Sequence, residues 1–155
     1  MIDHDRATLA IYSESRTVAE ITASLRLEPT EAANIGEQTR SGRAGRAYKA
    51  EHLTYQRTTW LLDATASATG GDEGVNALRR LVRLALPAAA ALESLRGDCE
   101  TVIWWSGDST NTQGTFVFPS NLIVDLAALG CEVRGTVFLN DHDAGCDGAE
   151  FRFKN

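Results

Sequence analysis

The chain has 155 residues, three cysteines and a formal net charge of −6. That length suits one domain, which buries roughly 70% of its unfolded surface without a metal or a disulfide, and the acidic balance argues against a sequence-independent grip on nucleic-acid phosphates. Cys99, Cys131 and Cys146 form no CxxC pair, MIDHDRATL lacks the apolar stretch of a signal peptide, and no apolar run approaches the ~20 residues of a membrane span, so a cytoplasmic protein without membrane contact is expected.

ATLAIYS, residues 7–13, alternates as a first strand, with Leu9 and Ile11 on one face and Thr8, Ala10 and Tyr12 on the other. Thr17 and Glu20 stand at capping-box spacing, where hydroxyl and carboxylate satisfy free backbone donors reciprocally. Val18, Ile21 and Leu25 follow at helical spacing, and Pro29 is expected to end that helix. Periodicity fades over residues 31–52, where Gly36, Gly42 and Gly45 lie among Arg40, Arg43, Arg46 and Lys49. This reads as a long loop with at most a short edge strand.

YQRTTWLLDA, residues 55–64, is a second strand, and TGGDEG breaks the chain after it. Val75, Leu78, Leu81, Val82, Ala85 and Leu86 mark an amphipathic helix. Pro87 lacks an amide donor, so it should kink that helix or begin a second one carrying Ala89, Leu92 and Leu95, closed by Gly97. CETVIWWS (99–106) and TFVFP (115–119) read as two strands around a polar loop, residues 106–114, whose one charge is Asp108. Ser120 is expected to cap a short helix with Leu122, Ile123, Leu126 and Leu129, and Gly130 to end it in the left-handed conformation. EVRGTVFLN (132–140) is the last strand. Residues 140–155 read as a tail in which Phe151 and Phe153 alternate as in an edge strand. The order β-α-β-α-β-β-α-β predicts one α+β domain over residues 1–155, with its core at about 7–139. Its sheet should be mixed but mainly antiparallel, with helices on one face and a ferredoxin-like flavour.

Neighbouring strand residues point to opposite faces, so Trp104 and Trp105 cannot both be core in a two-layer domain. Parity groups Thr101, Ile103 and Trp105 on one side and Glu100, Val102 and Trp104 on the other. In the last strand it sends Val133, Val137 and Leu139 inward and Glu132, Arg134, Thr136 and Phe138 outward. The outer face is then expected to carry Tyr12, Trp104 and Phe138, a platform of rings that offers contact area at little entropic cost. The competing reading is that strands favour aromatic residues in any case.

No GxSxG, HExxH, Walker loop or GxGxxG is present. His4 and His142 sit in two DHD strings, residues 3–5 and 141–143, which would meet at one rim if the first and last strands paired antiparallel. Two imidazoles and four carboxylates suit a divalent cation, but Asp and His are equally at home at strand ends, and neither metal nor cofactor is expected. SGRAGRAYKAEH, residues 41–52, offers Arg43 and Arg46 for a bidentate grip on phosphate or carboxylate, or is simply a solvated loop.

LAIYS (9–13), ITASLRLEPTEAANIGE (21–37), Trp60 and SNLIVDLAALGCEVRGTVF (120–138) together resemble the domain of unknown function 4279 family of uncharacterised bacterial proteins. The resemblance brings no catalytic residues. It implies a small bacterial accessory protein, and some members look like immunity proteins encoded beside toxins. The expectation is a non-enzymatic binding protein, in its sharpest form an immunity-type protein that neutralises a basic partner protein. The alternative is a small anionic-ligand sensor whose pocket joins Arg43 or Arg46 to Asp108.

Overall fold

The computed structural model describes residues 2–45, 49–67, 74–110 and 115–139. In chain order the strands are β1 (His4–Ser13), β2 (Glu31–Ala33), β3 (Thr58–Ser67), β4 (Cys99–Ser109) and β5 (Glu132–Leu139). The helices are α1 (Val18–Leu25), the single turn α2 (Arg40–Arg43), α3 (Asn76–Ala85), α4 (Ala89–Leu95) and α5 (Ser120–Leu129).

The strands form one sheet in the order β2-β3-β1-β4-β5. β1 runs through its centre, antiparallel to β3 and to β4 along its whole length. β5 is parallel to β4 in a continuous register from Val102↔Glu132 to Ser109↔Leu139. The sheet is mixed, and α1, α3, α4 and α5 supply the layer over one face. The core forms where the two layers meet: Leu9 and Ile11 of β1, Trp60 of β3 and Ile103 of β4 are fully buried with Leu78 and Leu81 of α3. None of the helices among the described residues is long and apolar enough to cross a membrane.

Each helix is set by an identifiable local device. Thr17 and Glu20 form the capping box at the start of α1, and the Val18 N–H donates to Asn34 Oδ1 at 2.9 Å. α3 has no side-chain cap from its own N-cap residue, Val75; the Ala77 N–H donates instead to the buried Asp5 carboxylate of β1 at 2.8 Å. Pro87 lies in a 3-10 turn, Leu86–Ala88, between α3 and α4, as its missing donor requires. At the end of α5, Gly130 takes a φ of 63°, and the Arg96 guanidinium donates to Leu129 O at 2.9 Å beside it.

Several expectations need correction. Residues 115–119 are not a strand, and β4 runs on to Ser109 through half of the expected polar loop. The cause is topological: β4 and β5 are parallel, and parallel neighbours need a crossover rather than a hairpin, which α5 provides. β1 and β5 do not pair, because β4 lies between them, so the antiparallel pairing that would have joined the two DHD strings does not occur. α1 ends at Arg26, left-handed at φ 55°, before Pro29 is reached. The N-cap of α5 is Pro119 and Ser120 sits inside the first turn. Residues 31–52 do contain a short edge strand, β2, as expected, but add α2 and a 3-10 turn, Ala50–His52, and Gln38 bridges to Thr54. β3 starts and ends three residues later than expected.

Candidate functional site

The sheet face turned away from the helices carries the even-numbered residues of β1, β4 and β5. In register they form rows: Tyr12 beside Glu100, Ala10 beside Val102 and Glu132, Thr8 beside Trp104 and Arg134, Arg6 beside Ser106 and Thr136, and His4 beside Asp108 and Phe138. Trp104 is 42% exposed on this face, while Trp105 is 3% exposed on the other. The alternation therefore divides the adjacent pair as strand geometry requires.

Trp105 is held from several sides. Its indole N–H donates to Asp5 Oδ2 at 3.2 Å, and its ring meets Phe116 and Phe118 at centroid distances of 5.0 and 5.9 Å, both tilted, as ring quadrupoles favour. Asp5 thus joins β1, the start of α3 and the indole. No spacing in the sequence marks it, because its partners are 72 and 100 positions away. Phe116 and Phe118 alternate as a strand does, and that alternation serves instead to place both rings on Trp105.

Two of the outer rings, Tyr12 and Trp104, each lie under an arginine that is itself paired. Arg57 lies 4.6 Å over the Tyr12 ring and donates to Glu100 at 2.7 Å. Arg134 lies 5.1 Å over the Trp104 ring and grips Glu132 with two bonds of 3.0 and 3.1 Å. That grip holds the Glu132 carboxyl below its ordinary value. Arg6 pairs with Asp63 at 2.7 Å. Three arginines of this face are therefore each paired with a carboxylate, and two of them lie over rings. Ala10 and Val102, 0% and 1% exposed, lie beneath this layer and outside the helix-side core cluster.

Trp104 and Phe138, the latter 53% exposed, border one cleft of about 290 Å³ floored by Thr8, Ser106 and Thr136. Asp108 lies in β4 directly beside Phe138. Tyr12 shares the face but stands at its far end, four rows from Phe138. Arg43 is exposed in α2, close to the start of β3, whereas Asp108 lies level with its end, across β1. The cavity that Asp108 lines together with His4, Arg6, Ser67 and Ser106 does not include Arg43. Arg46 lies outside the described residues, as do His142, Cys146, Phe151 and Phe153.

On the helix side of β5 a second groove, about 410 Å³, is walled by Trp105, Phe116, Phe118 and Ile123 and floored by Val133, Gly135 and Val137. Among the described residues, all exposed large apolar side chains except Ile35 and Leu84 belong to β4, β5, α5 or residues 115–119, among them Val117, Ile123, Val124 and Leu139. Leu139, expected to point inward, is 58% exposed.

The first DHD string separates into three fates. Asp3 accepts from the Thr110 N–H and hydroxyl, both at 2.9 Å, which lowers its pKa; His4 Nδ1 meets Ser67 Oγ at 3.2 Å; Asp5 turns inward. The second string lies outside the described residues. Among the described residues no group of three or more His, Cys, Asp or Glu is placed to hold a metal ion. Cys99 and Cys131 are free, and burial pushes both thiols up.

The model of one protein family, described as "Domain of unknown function (DUF4279)", matches residues 3–136. No curated protein and no solved structure gives a significant match to the chain.

Proposed function

The chain belongs to the domain of unknown function 4279 family, and from that premise we propose that it is a non-enzymatic accessory protein of the bacterial cytoplasm that binds another protein through the outer face of its sheet. The observation that carries this reading is the cleft between Trp104 and Phe138, two large rings left open to solvent on a face whose arginines Arg6, Arg57 and Arg134 are each paired with a carboxylate. Large, stiff aromatic side chains lose little entropy on contact and dominate the energetics of interfaces where they occur. The arginines over Trp104 and Tyr12 pre-set the rings, so little ordering is left to be done on binding. The net charge of −6 favours a basic partner through long-range steering. An immunity-type protein, which blocks a basic toxin by covering it, is the sharpest form of this reading.

The test is co-expression with the products of the neighbouring genes, followed by affinity measurement on any pair that co-purifies. Trp104→Ala with Phe138→Ala should weaken that pair by tenfold or more, the usual scale for aromatic anchors, while the protein stays folded with only a small drop in melting temperature. Full affinity in the double variant would overturn the assignment of this face.

A further inference from the structure

Among the described residues the two edge strands of the sheet, β2 and β5, are built differently. β2 is three residues long and gives a partner little to pair with, which is how natural sheets blunt an edge. β5 is eight residues long, pairs β4 without a bulge, contains no proline and carries no charge on its inner face. Parallel strands are ordinarily covered on both faces. Here the inner row of β5 is half-buried at Val133 and Val137 and open at Leu139, above the 410 Å³ groove. Across that groove Ile123 of α5 is 53% exposed. An edge this long, regular and apolar is a template for pairing.

We propose that β5 pairs antiparallel with β5 of a second copy of this chain, about a twofold axis at Gly135, closing two five-stranded sheets into one of ten. The charges favour this register. It sets Val133 against Val137 of the other copy, Arg134 against Thr136 and Glu132 against Phe138, so no like charges are directly opposed and seven of the eight residues find partners within the strand, with Leu139 opposite Cys131 just beyond it. A shift that centres the axis on Arg134 would oppose that guanidinium to itself. A twofold interface uses the same patch on both copies, and here that patch holds the inner apolar row of β5, with Ile123 of α5 rising beside the seam. The outer faces would join as well, placing the Trp104 clefts of both copies on one continuous surface. The seam uses the edge and the inner face rather than Trp104, so Trp104→Ala separates it from the partner reading above, whereas Phe138, opposite Glu132 in the seam, belongs to both.

Light scattering after size exclusion, over a concentration series from 1 to 100 μM, reads it directly. The expected mass is twice 16.8 kDa, with β5 amides that gain protection from hydrogen exchange as concentration rises. Ile123→Glu, at an exposed helix position that cannot unfold the core, and Leu139→Lys, at the open end of the strand, should each raise the dimer dissociation constant tenfold or more. Trp104→Ala should leave it unchanged. A monomer across the whole series would overturn the proposal, including one whose β5 amides are already protected, which would mean that the edge is covered within a single copy. A dimer unmoved by both variants would overturn it too.

Discussion

At the scale of single residues, the adjacent tryptophans do opposite jobs, and mutation should separate them. Trp105→Ala empties a buried site against Phe116, Phe118 and Gly135 and should cost about 3–5 kcal/mol in chemical denaturation. Trp104→Ala removes an exposed ring and one cation–π contact, which should cost less than about 1 kcal/mol. Equal losses would mean that the outer face is core. Asp5→Ala is the less obvious experiment. It strips the acceptor from the Ala77 N–H and the Trp105 indole at once, and two orphaned buried donors cost on the order of 2–5 kcal/mol. The division of the tryptophans was legible from parity alone, because period two is a property of the strand itself. Asp5 was not legible, because its importance lies in contacts that exist only after β1, α3 and β4 have come together.

At the scale of elements, local signals held where the device is local. The capping box, the proline between α3 and α4 and the glycine after α5 each act through neighbours a few residues away, so spacing was enough. Gly130→Ala should therefore cost about 1–2 kcal/mol, since a non-glycine residue at a φ of 63° is strained. The new Cβ would also run into the Arg96 guanidinium and displace it from Leu129 O. A urea midpoint equal to that of the wild type would mean that Arg96 and the backbone adapt freely. What spacing could not supply was pairing. TFVFP alternates as well as any strand in the chain, yet β4 takes β5 as a parallel neighbour, and residues 115–119 cross toward α5 with both phenylalanines turned onto Trp105. Of the candidate site, Trp104, Phe138 and Asp108 were placed together, while Tyr12 and Arg43 were separated by strand lengths that no sequence pattern records.

At the scale of the whole molecule, acid should be the condition that loosens the fold, and the sign follows from the carboxylates. Asp3, Glu20, Glu37, Asp98 and Glu132 all have pKa values lowered in the folded chain from ordinary values of 3.8 or 4.5. A carboxylate with a depressed folded value binds its proton more readily when unfolded. Its contribution is therefore fully present above the ordinary value and is lost as pH falls from about 4.5 through the folded value. Glu37 owes its lowering chiefly to the Asn34 side-chain amide; for the other four two causes operate, and salt distinguishes them. The largest effect on Asp3 and on Glu20 is a backbone N–H, from Thr110 and from Thr17 respectively. For Asp98 and Glu132 it is an arginine, Arg16 and Arg134. These groups are exposed, so ionic screening should weaken the arginine pairs and spare the backbone bonds. Denaturation followed at pH 7, 5 and 3 should show a plateau between the first two and a fall by the third. Glu20→Gln should flatten that fall equally at low and high salt, whereas Asp98→Asn should flatten it mainly at low salt. Stability that rises as the pH drops from 5 to 3 would contradict the assigned hydrogen bonds, because it would require these carboxyls to bind protons more tightly in the folded chain than in the unfolded one.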